Sequence, residues 1–287
     1  MTTLAIQPSR HDVYEFISPS AGTKDAALGK SVLITGAGSG IGQHTAIHFA
    51  RAGAVLIVLV GRNGKDLESS KAKIVAECPH SQILCAPTDI TDPGSVEKLF
   101  KETGKIDVLI NNAGATGMIG PLATVDAQKW WLAFDVNIRG TQLVTSEYLR
   151  LLNGGPGVVL NVSSRSSYVT AAGMSAYQVS KAALNRYTEF VDKEYGPQGV
   201  VAVAFHPGGV PDTKVADTIP EWISKTFKDT PALPAATALY LTLPRAKYLS
   251  GRFINAQWDM EELESYRHQI VSEDLLKTRV LGIEDSL

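Results

Sequence analysis

The chain has 287 residues, of which 44% are hydrophobic and 20% are charged, and its formal net charge is −2. This composition is ordinary for a globular protein, and the small negative charge disfavours nucleic acid or an anionic membrane surface as an obligate partner. No apolar run reaches the length of a membrane span and the N-terminus lacks a signal-peptide pattern, so we expect a cytoplasmic protein without a membrane partner. The two cysteines lack metal-ligand spacing, which indicates reduced structural thiols and no metal site.

Short apolar runs alternate with amphipathic segments along most of the chain. The runs predict strands at 32–34, 54–60, 82–86, 106–110, 158–162, 200–205 and 253–256. Helices are predicted at 41–52, from 64 to about 77, and at 93–103, 126–153, 175–195 and 235–243. This alternation favours right-handed crossovers and a single α/β domain with a doubly wound, mainly parallel sheet. The domain is expected at 29–258, between an N-terminal surface arm at 1–28 and a C-terminal extension at 259–287 that is helical over 260–278.

The stretch from Ser31 to Ala50 joins the first strand to the first helix through four glycines within seven residues. Because glycine has no Cβ, a ligand can approach the backbone of such a turn, and the start of a helix attracts anions. Strand, glycine turn and helix therefore predict a phosphate-binding end, although glycine turns also close ordinary α/β units. The spacing is Gly-x-x-x-Gly-x-Gly, at Gly36, Gly40 and Gly42, and differs from the Gly-x-Gly-x-x-Gly dinucleotide fingerprint.

Four motifs in the right order carry a resemblance to a known family. They are Thr35-Gly36-x-x-x-Gly40-x-Gly42, Asn111-Asn112-Ala113-Gly114, Ser164 and Tyr177-x-x-x-Lys181. All except the tyrosine–lysine pair follow predicted strands, where ligands bind in doubly wound sheets. With them the chain resembles the short-chain dehydrogenase/reductase family over about residues 29–257. The resemblance implies an oxidoreductase on a Rossmann-type domain with a seven-stranded sheet, and the C-terminal part is similar to longer fungal members, which favours a role in secondary metabolism.

Tyr177 and Lys181 are four residues apart and therefore share one face of the predicted helix. A phenol with a pKa near 10 is a poor acid or base at neutral pH. A nearby ammonium, together with the positive charge of an oxidised nicotinamide, would lower that pKa and prepare Tyr177 for proton transfer. Taken alone, the pair could also be a packed aromatic and a solvated charge.

The resemblance implies roles for the other catalytic candidates. Ser164 would hydrogen-bond the substrate oxygen, with Ser163 as the rival for that role. Asn137 would bend the long helix and hold a water for proton relay from Lys181, which would also bind the nicotinamide ribose. Three histidines, His44, His48 and His206, lack metal-like spacing and are interpreted as structural.

The end of the second strand bears on the choice of nicotinamide cofactor. An acidic residue there would favour NAD, but the sequence has Gly61 followed by Arg62, which could clamp a 2′-phosphate. We therefore predict NADP(H), with NAD(H) as the alternative and a solvated surface arginine as the plainer interpretation of Arg62. The predicted cofactor-binding residues are Thr35, Gly36, Gly38, Ser39, Gly40, Ile41, Gly42, Arg62, Asn63, Asp89, Ile90, Asn111, Asn112, Ala113, Gly114, Tyr177, Lys181, Pro207, Gly208, Gly209, Val210 and Thr213.

The substrate is expected to be an apolar small molecule with a ketone, aldehyde or alcohol group. Its predicted contacts are Ser164, Ser166, Tyr168, Met174 and Trp222, and the proline-rich segment at 210–233 is interpreted as a lid. The resemblance implies a homodimer or homotetramer paired through the two long helices. A non-redox enzyme, such as a cyclase or isomerase, and a nucleotide-binding scaffold or redox sensor are the competing functions on the same fold.

Overall fold

A computed structural model of the chain describes residues 4–280. Its seven strands are β1 Ser31–Thr35, β2 Leu56–Gly61, β3 Gln82–Pro87, β4 Val108–Asn111, β5 Gly157–Val162, β6 Val200–His206 and β7 Arg252–Asn255. They form one sheet in the order β3-β2-β1-β4-β5-β6-β7, and all pairs of neighbours are parallel. The predicted doubly wound parallel sheet is confirmed. Its strand order reverses between β1 and β4, which opens a crevice at the carboxyl ends of these strands.

Helices cover both faces of the sheet and enclose two apolar cores. Their bounds are α1 Gly40–Arg51, α2 Gly64–Glu77, α3 Pro93–Thr103, α4 Ala127–Phe134, α5 Thr141–Leu152, α6 Ser175–Tyr195, α7 Glu221–Ser224, α8 Ala232–Leu241, α9 Met260–Ser265 and α10 Arg267–Ser272. One core packs α1, α2 and α8 against the sheet, and the other packs α3, α5 and α6 against the opposite face. Over residues 4–280, no helix has the length and apolar character that crossing a bilayer would need.

The helix predicted over 126–153 is interrupted. Asp126 caps α4 by accepting a hydrogen bond from the Lys129 N–H at 2.9 Å, but the regular helix ends at Phe134. Residues 135–140 form a π-helical turn, after which α5 continues to Leu152. Single π-turns of this kind are frequent at functional sites, and this one contains Asn137.

The tail predicted as a helix over 260–278 forms the two short helices α9 and α10 and then leaves helical geometry. Asp274 and Leu276 have φ values of 48° and 64°, in the left-handed region that a right-handed helix cannot include. The chain turns back toward β7, where the Phe253 N–H donates to the Leu276 carbonyl at 2.8 Å. Residues 281–287 of the predicted extension lie outside the described residues.

The N-terminal arm packs on its own chain over residues 4–28. Ile17 is fully buried in the core beside α8, which differs from the expected surface arm because its apolar side chains find a place inside. The Ser9 and Arg10 N–H groups both donate to the Gln257 carbonyl at 2.9 Å, and the Tyr14 hydroxyl accepts from the Met260 N–H at 2.6 Å. The arm therefore runs beside the segment that follows β7.

Candidate active site

A cavity of about 1410 Å³ opens at the carboxyl ends of the strands. Residues that follow each of β1 to β6 line it, as expected for a doubly wound sheet. A single small-molecule pocket is typically about 300–1,000 Å³, so this cavity has room for two ligands side by side. The predicted site residues that line it are Gly36, Gly38, Ser39, Gly40, Ile41, Arg62, Asn63, Asp89, Ile90, Asn112, Ala113, Gly114, Ser164, Ser166, Met174, Tyr177, Lys181, Pro207, Gly208, Gly209, Val210 and Thr213.

The glycine turn after β1 forms one wall of the cavity. Gly36 has a φ of 67°, a conformation that side chains disfavour, and a Cβ on Gly42 would lie 2.5 Å from the Gly36 carbonyl oxygen. Ser39 precedes α1 but makes no side-chain hydrogen bond to the N–H groups at the start of the helix. Those N–H groups are thus available to an anion, and the cradle fits the phosphates of a dinucleotide.

Thr35 and Asn112 join the turns after β1 and β4 at the point where the strand order reverses. The Thr35 hydroxyl accepts from the N–H groups of Asn112 and Ala113, each at 3.0 Å. The Asn112 amide donates to the carbonyls of Thr35 and Gly36 at 2.9 and 3.2 Å. Two turns that line the cavity are therefore fixed relative to each other, although Thr35 itself lies behind the wall.

The far end of the cavity carries an exposed cation and a hydrogen-bonded carboxylate. Arg62 is exposed and lines the cavity directly after β2. Asp89, after β3, accepts from the Thr91 N–H and hydroxyl at 2.9 and 2.7 Å, and these bonds, with a smaller contribution from Arg62, lower the pKa of its carboxyl group. Asn63 caps α2 by accepting from the Lys65 N–H at 3.0 Å. This end could hold the adenosine half of a dinucleotide.

Ser164, Tyr177 and Lys181 meet on the opposite wall. The Lys181 ammonium donates to the Val162 carbonyl at 2.7 Å and lies 5.8 Å from the centre of the Tyr177 ring. The Ser164 hydroxyl accepts from the Ser166 N–H at 3.1 Å and also interacts with the Tyr177 phenol. The Ser163 hydroxyl instead donates to the Asn185 side-chain oxygen at 2.6 Å, so Ser164 is the one of the two serines that interacts with Tyr177.

Burial shifts the pKa of both ionisable groups in this cluster toward the neutral form. It raises the pKa of Tyr177, an effect partly opposed by the Ser164 hydroxyl, and lowers the pKa of Lys181 to about 8. The expectation that the ammonium and an oxidised nicotinamide together lower the phenol's pKa applies to the cofactor-bound protein and stays a prediction. Lys181 is only 4% exposed, and the loss of hydration on burial disfavours its charged form.

Asn137 supports the same wall from behind, within the π-helical turn. Its side-chain oxygen accepts from the Ala115 N–H at 2.9 Å, and its amide donates to the Ala115 carbonyl at 2.8 Å and to the Ser180 hydroxyl at 2.9 Å. A Cβ on Gly114 would lie 3.4 Å from the Asn137 oxygen and 3.8 Å from the Lys181 ammonium. Asn137 therefore links the turn after β4 to α6, the helix that carries Tyr177 and Lys181.

The segment after β6 closes the cavity beside the glycine turn. A Cβ on Gly40 would lie 3.3 Å from the Thr213 methyl group, so this threonine packs directly against the phosphate-binding turn. The Thr213 hydroxyl accepts from the Ala216 N–H at 3.1 Å. The extra residue between Gly208 and Thr213 thus leaves the threonine beside the cavity.

Six predicted site residues do not line the cavity. Thr35, Gly42, Asn111 and Asn137 lie behind its walls, where Asn111 donates to Thr145 and Asn161 at 3.0 and 2.9 Å. Tyr168 is 58% exposed and packs edge-on against Phe253, and Trp222 on α7 is 69% exposed.

His206, interpreted from sequence as structural, ends β6 and lines the cavity. Burial lowers its pKa to about 3, with a contribution from the nearby Arg165, and its Nδ1 atom has no hydrogen-bond partner among the described residues. Sequence reasoning also missed Lys214, Asp229 and Gln257, which line the cavity from loops that carry no recognisable motif.

Fold and site together define the class of protein: a Rossmann-type α/β protein with its ligand crevice at the switch point of a parallel sheet. The chain belongs to the short chain dehydrogenase family, whose model matches residues 30–224. Membership confirms the resemblance seen in the motifs and makes the protein a member of an oxidoreductase family. It also implies a nicotinamide cofactor, NAD(H) or NADP(H), and a small-molecule substrate.

Fungal relatives match almost the whole chain. It is 36% identical over 284 residues to the short chain dehydrogenase mpl6 of Monascus purpureus, covering 96% of each protein. It is also 36% identical to the short chain dehydrogenase andI of Emericella variicolor, covering 95% of this chain and 94% of that protein. The predicted similarity to fungal family members is thereby supported.

Two solved structures show the same fold. A 7α-hydroxysteroid dehydrogenase complexed with NADH and 7-oxo glycochenodeoxycholic acid aligns with a TM-score of 0.74 at 25% identity, covering 81% of this chain and 94% of that one. Levodione reductase aligns with a TM-score of 0.74 at 27% identity, covering 81% of this chain and 96% of that one.

Proposed function

We propose that this protein interconverts a ketone or aldehyde and the corresponding alcohol on an apolar small molecule, with NADP(H) as its cofactor. The observation that carries the proposal is the convergence of Ser164, Tyr177 and Lys181 on one wall of the cavity that the glycine turn also lines. The nicotinamide, when bound, supplies or accepts the hydride. The residues of the chain orient the substrate and move the proton.

Tyr177 acts as the general acid in the reducing direction and as the general base in the other. Its raised pKa keeps the phenol protonated at neutral pH, so it can donate to the oxygen of a carbonyl substrate. The Ser164 hydroxyl donates a hydrogen bond to the same oxygen and stabilises the negative charge that develops there. The neighbouring Lys181 ammonium stabilises the phenolate that remains after proton transfer.

Lys181 and the π-helical turn supply the path by which Tyr177 regains the proton that it donates to the substrate. A lysine with a pKa of about 8 can give up and regain a proton near neutral pH. The π-turn at Asn137 departs from regular helical hydrogen bonding, which supports a role for it in holding a water that relays protons to Lys181. Lys181, which lines the cavity, would also bind the nicotinamide ribose.

NADP(H) is favoured over NAD(H) by the residues after β2. Residues 61–63 contain no carboxylate, and Arg62 offers a forked pair of donors to a 2′-phosphate. The nearest acidic residue along α2, Asp66, is paired with Lys214 at 2.6 Å. The neighbouring hydroxysteroid dehydrogenase structure contains NADH, so the fold alone does not select the cofactor.

Part of the cavity lining suits an apolar substrate. It includes Met174, Val210, Ile219, Ile223 and Phe227, with Ser166 as a polar contact. This lining supports an apolar small molecule as substrate, and a secondary metabolite is our proposal within that class. Contacts from Tyr168 and Trp222 remain predictions, because neither side chain lines the cavity in this structure.

A homodimer or homotetramer is proposed through the two long helical segments at about 126–153 and 175–195. Trp131 on α4 and Val179 and Phe190 on α6 are 50–56% exposed, and large apolar side chains exposed in this way favour a covering subunit. Light scattering on the purified protein tests this, and a monomer at micromolar concentration contradicts it.

Replacement of Tyr177 tests the proposed activity. The purified protein is supplied with NADPH or NADH and a panel of apolar ketones, and the loss of nicotinamide absorbance is followed. General acid–base catalysis contributes about 10²–10⁴ to a rate, so Tyr177→Phe should lower kcat by at least about a hundredfold with cofactor affinity preserved. Tyr187→Phe, on the same helix but outside the cavity wall, is the matched control and should keep normal turnover.

The other outcomes identify the competing functions. Retained turnover in Tyr177→Phe removes Tyr177 from the mechanism. Substrate conversion without change in nicotinamide absorbance indicates a cyclase or isomerase. Cofactor binding without turnover of any carbonyl or alcohol indicates a scaffold or sensor.

A further inference from the structure

Asp229 is a buried carboxylate outside the motifs of the site. It lies in the loop between α7 and α8, is 2% exposed and lines the cavity. A carboxylate removed from water is costly unless several donors compensate it. Its partners here come from three segments that are far apart in the sequence, which makes Asp229 the point where they are joined.

Two of these segments contact the same oxygen. Asp229 Oδ2 accepts from the Gly209 N–H at 2.6 Å and from the Gln257 side-chain amide at 2.8 Å. The Asp229 N–H donates in return to the Gly209 carbonyl at 3.0 Å. The loop before α8 is thus bonded at both a side-chain and a backbone position to the turn after β6.

The turn after β6 is shaped to admit this carboxylate. Gly208 has a φ of 92°, and a Cβ at that position would lie 2.6 Å from Asp229 Oδ2. Glycine is therefore required both by the backbone conformation and by the closeness of Asp229. The conformation of Pro207–Gly209 and the position of the carboxylate depend on each other.

The third partner comes from the N-terminal arm. His11 Nδ1 lies 2.5 Å from Asp229 Oδ1, and the His11 carbonyl accepts from the Thr230 N–H at 2.9 Å. The adjacent arm residues Ser9 and Arg10 bond to the carbonyl of Gln257. His11 therefore backs the carboxylate on the side away from the turn, and this part of the arm belongs to the structure that forms the cavity wall.

The position of the turn shows which half of the cofactor it would meet. In the sheet Val162 pairs with Phe205, so the residues after β6 lie beside those after β5, where Ser164 is found. Arg62 and Asp89 follow β2 and β3, on the other side of the switch point. Pro207–Gly209 therefore flanks the reacting end of the cavity and is remote from the end proposed for adenosine.

We propose that Asp229, supported by His11, is a positioning residue that holds the Pro207–Gly209 turn in the conformation needed by the nicotinamide half of the cofactor. This inference rests on the proposed function, because it assumes a dinucleotide with its nicotinamide beside Tyr177. Preorganisation of a binding loop by a charged hydrogen-bond acceptor improves affinity by reducing the entropy lost on binding. The N-terminal arm is then a functional part of the cofactor site.

The test compares the whole dinucleotide with its adenosine half. Dissociation constants are measured by calorimetry for NADP⁺ and for 2′-phospho-ADP-ribose, which lacks the nicotinamide, or for NAD⁺ and ADP-ribose if the wild type prefers NAD⁺. Asp229→Ala should weaken binding of the dinucleotide about tenfold and leave binding of the half-ligand within about twofold, since it removes a charged hydrogen bond only at the nicotinamide end. A purely structural role would weaken both ligands together.

A conservative variant of Asp229 and a variant of its partner His11 test the same role separately. Asp229→Asn can keep an oxygen acceptor for Gly209 and offer its amide to the ring nitrogen of His11, so it should restore affinity for the dinucleotide to within about threefold of wild type. His11→Ala removes a partly exposed support and should weaken the dinucleotide about threefold, again without effect on the half-ligand. Arg245→Ala, which removes a hydrogen bond at 3.2 Å to the Gly22 carbonyl in a different part of the arm, is the matched control and should bind both ligands normally.

Each result decides a separate question. If the wild type binds neither dinucleotide, the proposed function fails. If the wild type binds but Asp229→Ala and His11→Ala bind the dinucleotide as tightly as wild type, or lose both ligands equally, the positioning role fails. If Asp229→Ala does not fold, Asp229→Asn and His11→Ala decide it: the role stands only if His11→Ala selectively weakens the dinucleotide.

Discussion

Arg62 is the side chain on which the proposed cofactor preference depends. It is exposed at the end of β2 and lines the cavity, and it makes a minor contribution to the lowered pKa of the Asp89 carboxyl group, which the Thr91 hydrogen bonds mainly cause. An ion pair between exposed side chains contributes little free energy. A bidentate pair of hydrogen bonds from an arginine to a phosphate contributes considerably more. The proposal therefore predicts that replacement of Arg62 weakens the binding of NADPH much more than the binding of NADH.

Arg62→Ala should raise the dissociation constant for NADPH about tenfold or more and change that for NADH less than about twofold. The reason is that a hydrogen bond to a charged group contributes about 1.5–3 kcal/mol and only NADPH carries the 2′-phosphate. Fluorescence titration of both cofactors measures the two constants. Arg51→Ala, an exposed arginine paired with Glu77 on the other side of α2, serves as control, and an equal loss for both cofactors would refute the assigned role.

At the residue scale, the sequence alone identified the candidate residues whose proposed reaction requires one particular type of side chain. Tyr177 and Lys181 could be found because four positions on a helix place two side chains together whatever the rest of the fold does. Asp229 could not be found in this way, because its partners His11, Gly209 and Gln257 are separated from it by 218, 20 and 28 positions. The hydrogen-bonding role of its carboxylate exists only because the tertiary structure brings these partners together.

The π-helical turn between α4 and α5 is the element that connects helix geometry to the site. Its Asn137 makes three hydrogen bonds, two of them to the backbone of Ala115, and is 1% exposed. The apolar pattern of 126–153 predicted one continuous helix here, and only the resemblance implied that Asn137 would bend it. The interruption coincides with hydrogen bonds from Asn137 to Ala115 and Ser180, which lie far away in the sequence and which periodicity does not record.

Asn137→Ala should lower the free energy of unfolding by about 1–3 kcal/mol, since it leaves the partly buried backbone N–H and carbonyl of Ala115 without these partners. It should also lower kcat, because the wall at Gly114 beside Lys181 loses its support. Urea denaturation measures the first effect and steady-state kinetics the second. Gln142→Ala, an exposed side chain at the start of α5 that bonds to Ser146, is the control, and a cost equal to the control's would contradict this role for Asn137.

The C-terminal tail illustrates the same limit for an element at the edge of the fold. A helix over 260–278 was a reasonable prediction from amphipathic spacing, yet the chain leaves helical geometry at Asp274, where the buried Arg252 guanidinium donates to its carboxylate at 2.9 Å. An ion pair with β7 and the hydrogen bond from Phe253 outweigh the helical preference of these last residues. Apolar runs predicted the strands because most of them are buried on both faces, although the edge strand β3 is partly exposed, whereas the tail packs against the protein from the edge of the fold.

The whole molecule buries ionisable groups on both sides of its sheet, and this makes its stability depend on pH. On the α1 side, His48 is 3% exposed, and burial lowers its pKa to about 4. At the site, burial lowers the pKa of His206 to about 3 and that of Lys181 to about 8. Each group is more easily protonated in the unfolded chain than in the folded one.

The sign of each contribution follows from proton binding. Stability rises with pH wherever the unfolded state binds more protons. For the two histidines this window runs from their folded pKa values of about 4 and 3 up to the ordinary value of 6.5. The free energy of unfolding therefore decreases as the pH falls through this window. For Lys181 the window runs from about 8 to 10.5, so mild alkali should stabilise the fold through this group.

His48 allows the acid side of this dependence to be measured away from the active site. Between about pH 7.5 and about pH 5 the wild type should lose about 2 kcal/mol of unfolding free energy through His48 alone, because a depressed histidine pKa costs about 1.4 kcal/mol per unit as the unfolded chain takes up its proton. His48→Gln should be less stable at neutral pH but should lose about 2 kcal/mol less than the wild type on acidification. Urea unfolding at both pH values, with the exposed His268→Gln as control, provides the comparison. If the slopes of wild type and His48→Gln coincide, then His48 accepts its proton in the folded state, and the α1 face of the core admits more water than its packing indicates.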